Sequence, residues 1–203
     1  MISKKVSIVI LIFFRGSVVV SAAWRAIKIK VFGNASIFGL STFGFALAML
    51  GFWLLLRNQL IGALIFALLV AAIGETVAGL YEIVRGQTYV ASVLTTFGIW
   101  LVGCYLLLTV AIGIHLVTDQ SIGLFILLLH IPVAYLAVPA FVSRRIPLVA
   151  AFVFLFILLM LAGLGSYFAI NVLNKVAIVF AFLSAISVWF VAFEALEEAN
   201  RPS

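Results

Sequence analysis

Apolar runs long enough to cross a bilayer recur six times along this chain, over residues 38–56, 59–84, 89–114, 121–142, 147–170 and 172–193. A helix rises about 1.5 Å per residue, so a hydrocarbon layer of about 30 Å takes about 20 apolar residues, and each run predicts one spanning helix. The breaks between runs are short and polar: Arg57 and Asn58; Arg85, Gly86 and Gln87; residues 115–120; Ser143, Arg144 and Arg145; and residues 171–175. They leave no room for a soluble domain.

The stretch before the first run reads differently. Residues 6–24 are apolar but interrupted at Arg15, and Arg25, Lys28 and Lys30 follow. An arginine at mid-membrane costs roughly 2.5–3.5 kcal/mol on insertion scales, whereas a helix lying in the interface keeps it among the headgroups. An amphipathic, interfacial N-terminal helix is therefore the favoured reading. A seventh span is one alternative, and a cleaved signal segment is another, with Lys4 and Lys5 ahead of the apolar run and small residues at Ser21, Ala22 and Ala23. The expected fold class is an all-α membrane protein, a six-transmembrane helix bundle. Its parts are a basic and apolar segment at 1–33, a transmembrane domain at 34–198 and a short cytoplasmic tail at 199–203.

With the first segment not crossing, Lys4, Lys5, Arg15, Arg25, Lys28, Lys30, Arg85, Arg144, Arg145 and Arg201 fall on one side, and Arg57 and Lys175 on the other. Ten against two puts both termini in the cytoplasm by the positive-inside rule, in a plasma or inner membrane.

Composition narrows the chemistry. The chain is 67% apolar and 9% charged, with a mean hydropathy of +1.41, far from the roughly 25% charged residues of a soluble domain. The net charge of +6 is too sparse to argue for nucleic acid. One cysteine and two histidines exclude an intrachain disulfide and a cysteine-based zinc site, and neither a metal nor a cofactor is expected. The spans hold no paired aspartates, Ser–His pair or histidine cluster, so an intramembrane enzyme is not expected.

Polar groups at depth then become informative, because lipid offers them no hydrogen bonds. Glu75 lies about two thirds along the second run. Glu82 follows one heptad later, which puts both carboxyl groups on one helix face about 10 Å apart. A carboxyl at that depth is easier to hold neutral than charged, so Glu75 is a candidate proton acceptor or gate, or else a protonated carboxyl hydrogen-bonded to a neighbouring helix or the lining of a water-filled vestibule. His130 stands two residues before Pro132 in the fourth run. Proline removes a backbone hydrogen bond and kinks a helix, which leaves a carbonyl for the imidazole to satisfy; a proton relay is the alternative.

Ser41-Thr42-Phe43-Gly44 and Thr95-Thr96-Phe97-Gly98 resemble each other, each with hydroxyls, a ring and a glycine in sequence. Glycine admits a neighbouring helix while the ring projects, the makings of an apolar collar. Small residues one turn apart, such as Gly44 with Ala48, Gly74 with Ala78 and Ala181 with Ala185, predict close crossings. Trp24, Trp53, Trp100 and Trp189 fall near the ends of the runs, as interface anchors would. No Lys or Arg lies deep in any run, so a permeant anion meets no fixed countercharge at mid-membrane, and a small weak acid able to pass neutral is easier to accommodate.

The segment from Ala78 to Tyr89, AGLYEIVRGQTY, followed by Thr95-Thr96-Phe97-Gly98-Ile99-Trp100, is similar to the signature between the second and third spans of the acetate uptake transporter family, which includes succinate/acetate permeases. The family pattern runs approximately A-G-x-x-E-x-x-x-G-N-T-F-G, then S-Y-G-x-F-W. Upstream, Gly33-Asn34-Ala35-Ser36-Ile37-Phe38-Gly39-Leu40 occupies the place of N-P-A-P-L-G-L, and Glu194 extends the likeness past the last run.

The resemblance implies a transporter or channel for small monocarboxylates, acetate or also succinate, passive or proton-coupled, assembled as a homohexamer in the bilayer with a pathway in each protomer. It places an apolar constriction on Phe43, Phe97 and Leu155, the asparagine of the first motif on Asn34, and the signature loop on Glu82, Gln87 and Thr88. Ala35 and Ile37 replace the two prolines of the pattern, Phe97 its tyrosine, Gln87 its asparagine and Val90 its second glycine. The missing tyrosine hydroxyl removes a donor from the narrowest point. A membrane scaffold or assembly subunit without transport is the alternative. Polar side chains from several spans converging on one protomer axis would favour transport over it.

Overall fold

The computed structural model describes residues 34–56, 59–111, 114 and 117–200. The chain divides into two units, Met1–Gly33 and Asn34–Ser203, and every described residue belongs to the second. The expected interfacial helix, Trp24 and the last three residues lie outside the described residues.

Seven α-helices occur among the described residues: α1 (Ala35–Leu56), α2 (Ile61–Val84), α3 (Thr88–Leu106), α4 (Asp119–Leu128), α5 (His130–Val142), α6 (Ile146–Tyr167) and α7 (Asn171–Asn200). A π turn, Leu107–Ala111, extends α3, and α4 and α5 are two halves of one span. The result is six helices long and apolar enough to cross a membrane, as the hydrophobic runs predict. The chain is a multi-pass membrane protein of the all-α class. α1 packs between α2 and α7, α2 also packs on α3, and α6 packs on α7 and on both halves of the broken span. Tyr89 at the start of α3 donates a hydrogen bond to the Leu136 carbonyl of α5 at 2.8 Å, joining those two elements.

Local chemistry sets the breaks. α2 ends in a Schellman motif: Gln87 N–H donates to the Glu82 carbonyl at 2.9 Å and Gly86 N–H to that of Ile83 at 3.0 Å. Gly86 takes φ +76°, which only glycine adopts without a Cβ penalty. The fourth span breaks at Leu129, three residues ahead of Pro132, whose missing N–H leaves the preceding turn short of a donor. His130 spans the break: Nδ1 lies 2.8 Å from the Leu127 carbonyl oxygen and Nε2 lies 3.0 Å from that of Phe156 on α6. Its ring also meets the Phe156 ring edge-on at 4.5 Å.

Close crossings follow the small residues. Across α2 and α3, Gly79 faces Thr95 and Gly98 faces Thr76, so that a methyl group added at either glycine would strike the other helix's backbone. The residues of the three small pairs read from sequence are all buried. Trp189 departs from its expected place as an interface anchor. It sits within α7, with its ring over Gly44 and its indole N–H donating to the Ser41 carbonyl at 3.0 Å, because the absent side chain at Gly44 leaves a slot that the indole fills. The outer faces carry large apolar side chains such as Phe45, Phe66 and Ile99, as a surface against lipid or other apolar neighbours requires.

Candidate permeation pathway

Three cavities with shared walls lie in sequence through the bundle. The largest, about 540 Å³, opens at the end marked by Asn34, the Arg85-Gly86-Gln87 turn and Arg145; its walls include Glu82, Tyr89 and Glu198. Its inner walls, Leu40, Val93, Leu148 and Val191, are also walls of a small chamber of about 30 Å³, the room of roughly one water. A third cavity of about 110 Å³ shares Phe43 and Leu155 with that chamber and continues among Trp53, Trp100, Phe125 and Ser166.

The junction between chamber and third cavity is aromatic. Phe43 and Phe97 stack with centroids 5.2 Å apart and planes at 25°, and Phe97 meets Phe152 at 6.5 Å. Phe43, Phe97 and Leu155 are each buried to within 4% of full enclosure. The two similar four-residue segments account for this placement. Each turns its phenylalanine inward, while its glycine receives a helix from the other side, Trp189 of α7 at Gly44 and Thr76 of α2 at Gly98. The three residues of the expected constriction are thus brought together.

The two carboxyl groups of α2 lie on one face at successive depths. Glu82 lines the vestibule and accepts from Arg85 Nη1 at 3.2 and 3.4 Å. Glu75, 1% exposed, lines the chamber, and its Oε2 has no hydrogen-bond partner. Of the side chains lining that chamber, Glu75 is the one that can ionise.

A family model described as the GPR1/FUN34/yaaH family matches residues 14–201. The chain belongs to this family. Membership bears out the resemblance read from the motifs around Asn34, Glu82 and Phe97. The fold is also similar to a solved structure described as that of the bacterial acetate channel SatP, at 19% identity and a TM-score of 0.76, covering 84% of this chain and 96% of that one. A search of curated proteins finds no match.

For this family member, the remaining candidates from sequence divide into two groups. Asn34 and Gln87 line the vestibule, and Asn34 also caps α1, its Oδ1 accepting from Ser36 N–H at 3.2 Å and from the Ser36 hydroxyl at 2.5 Å. Thr42, Thr88, Thr96 and His130 line none of the three cavities. Thr42 donates its hydroxyl to the Gly39 carbonyl at 2.8 Å and packs at Gly74, so it serves the α1–α2 crossing. Thr88 is exposed in the first turn of α3, and its carbonyl accepts from the Ser92 hydroxyl. Glu194 lies in an adjoining charged groove with Arg144 and Glu197, which shares Arg145 and Glu198 with the vestibule.

Sequence reasoning overlooked Phe152, Val93 and Arg145. Phe152 precedes Leu155 by one turn on α6, so the pair shares a helix face; that spacing was its available signal. Arg145 closes the vestibule rim, donating to Glu198 at 3.2 Å and tying the start of α6 to the end of α7.

Proposed function

We propose that this chain is a membrane channel or transporter for small monocarboxylates, acetate first and succinate as a larger candidate, moved passively or together with protons. One observation carries the reading: within a single chain the vestibule shares walls with the chamber, and the chamber shares walls with the third cavity at Phe43 and Leu155 of the Phe43–Phe97–Leu155 collar. A fold shared with a protein solved as an acetate channel supports the choice of permeant. The charge count puts the vestibule and both termini on the cytoplasmic side of a plasma or inner membrane, and the family resemblance supports a homohexamer.

The residues divide the work. Arg85 and Arg145 at the vestibule each pair with a carboxylate, Glu82 and Glu198, so the two cations keep the entrance from repelling an anion. Beyond them the walls carry no cation, so an acid continues only by shedding or sharing its charge. Glu75 stands where that exchange would occur. The aromatic collar excludes hydrated ions by refusing water. A scaffold without transport gives no reason for a buried carboxyl turned to a cavity, so the transport reading is preferred.

The test is uptake of radiolabelled acetate into vesicles holding the purified protein, with and without a pH gradient, beside Glu75→Gln. Uptake above protein-free vesicles, driven by an inward proton gradient that the variant no longer uses, is expected. Absence of acetate flux removes the substrate assignment. Flux and gradient response unchanged by Glu75→Gln remove the proton role and leave the carrier reading standing.

A further inference from the structure

The third cavity, about 110 Å³, differs in kind from the vestibule. Its walls come from α1, α2, α3, the π turn, α4 and α6, with Leu47, Trp53, Trp100, Phe125 and Leu158 among them. Among the described residues no charged side chain lines it, and Ser166 supplies its one hydroxyl. Water needs two to four polar partners to settle in a cavity, which these walls do not offer, whereas an apolar guest needs none. A guest also gives the wall atoms the dispersion contacts that a void withholds.

Size and charge narrow the guest. A cavity of about 150 Å³ walled by leucine, isoleucine and phenylalanine accepts benzene, so this one takes, in proportion, about four or five non-hydrogen atoms. A carboxylate or ammonium group would leave its hydration shell for walls that hold no opposite charge. An uncharged alkyl chain ending in a single hydroxyl avoids that cost, and butan-1-ol is a molecule of the right volume. Phe43 and Leu155 wall both this cavity and the chamber, so an occupant lies against the collar, across the way an acid would take.

We infer that the third cavity is a binding site for straight-chain alcohols of about four carbons, and that an alcohol lodged there blocks acid uptake. The binding follows from the cavity alone. The block rests on the pathway proposed above.

Binding is read with 3-bromopropan-1-ol, whose bromine quenches indole fluorescence on contact; Trp53 and Trp100 on the wall report it. With the full chain in vesicles, saturable quenching that butan-1-ol reverses is expected. Acetate uptake by the same preparation is then measured with alcohols from ethanol to octan-1-ol. Inhibition should strengthen about fourfold per methylene as far as butan-1-ol and then stop, whereas disturbance of the bilayer goes on growing with chain length. Leu158→Ala enlarges the cavity at a fully buried position and should move the limit toward hexan-1-ol, a gain that a misfolded variant could not mimic. Quenching that never saturates overturns the site, and so does inhibition that strengthens without limit through octan-1-ol. A limit unmoved by Leu158→Ala removes the site from this cavity. Saturable quenching without loss of acetate uptake overturns the block, while saturable quenching in a protein that takes up no acetate removes the transport reading and leaves the site standing.

Discussion

Phe97→Ala takes out a wall of the chamber of about 30 Å³, the ring stacked on the Phe43 that the chamber shares with the cavity of about 110 Å³ beyond it. Phe97 is 2% exposed and stacked on Phe43, so the truncation removes a fully packed side chain. Such a change costs about 3–5 kcal/mol in a packed core, and opening the void onto an existing cavity should keep it near the lower figure. The purified variant should therefore elute as the wild type does, with a lower Tm. An apolar constriction acts by staying dry, and without the ring water can bridge the two cavities. A barrier lowered by about 1.4 kcal/mol raises acetate uptake about tenfold. Aromatic acids such as benzoate, stopped by the intact collar, should then enter as well. Ile99→Ala is the control, two residues along the same helix and 66% exposed on its outer face, and it should change neither rate nor selectivity. A folded Phe97→Ala protein with wild-type uptake and wild-type exclusion of benzoate would refute the collar.

Four further outcomes follow from particular geometry. Gly98→Ala places a methyl group 2.7 Å from the Thr76 backbone nitrogen, which no rotamer change relieves, so α2 and α3 must separate at about 1–3 kcal/mol and the Tm should fall. Ala169 holds φ +56° in the turn between α6 and α7, and Ala169→Gly should stabilise the protein by about 1 kcal/mol, read as a raised Tm. Arg145→Ala breaks an exposed ion pair worth about 0–1 kcal/mol, so the Tm should not move measurably, while acetate uptake slows at low ionic strength and recovers relative to wild type at high salt. His130→Leu removes the ring that lies between the Leu127 carbonyl of the broken span and the Phe156 carbonyl of α6; a neutral imidazole donates to one of them, so the loss is about 1–3 kcal/mol, and the Tm should fall without altering the selectivity of the folded fraction.

The six spans were legible because length and hydrophobicity alone decide whether a segment crosses a bilayer, and the polar breaks at Arg85-Gly86-Gln87 and Ser143-Arg144-Arg145 were long enough to see. The face that each span turns inward was much less so. In a soluble helix polarity separates core from surface, but here both surroundings are apolar, and Phe45 on the outside is chemically the same as Phe43 on the cavity wall. Phe43 and Phe97 could be singled out because a glycine follows each, a sign of close helix contact on the neighbouring face. Phe152, followed by no such mark, was lost among nineteen phenylalanines. Glu75 and Glu82 stood out for the opposite reason, since a carboxyl among apolar residues is costly unless something faces it. Thr42 misled because a hydroxyl in a helix can satisfy itself on the preceding turn, which no spacing reveals. The division of the fourth span at Leu129 was foreshadowed by Pro132, but its bridge to Phe156 depends on a helix distant in sequence.

A route through the single chain is tested most directly at Val93, which lines both vestibule and chamber. With Cys104, the chain's one cysteine, replaced by serine, Val93→Cys would carry a lone thiol on the proposed path. Acetate uptake is then measured before and after a small charged thiol reagent. Labelling should abolish uptake, and acetate present during labelling should slow the reaction. Full labelling of Val93→Cys with uptake undiminished would contradict the route.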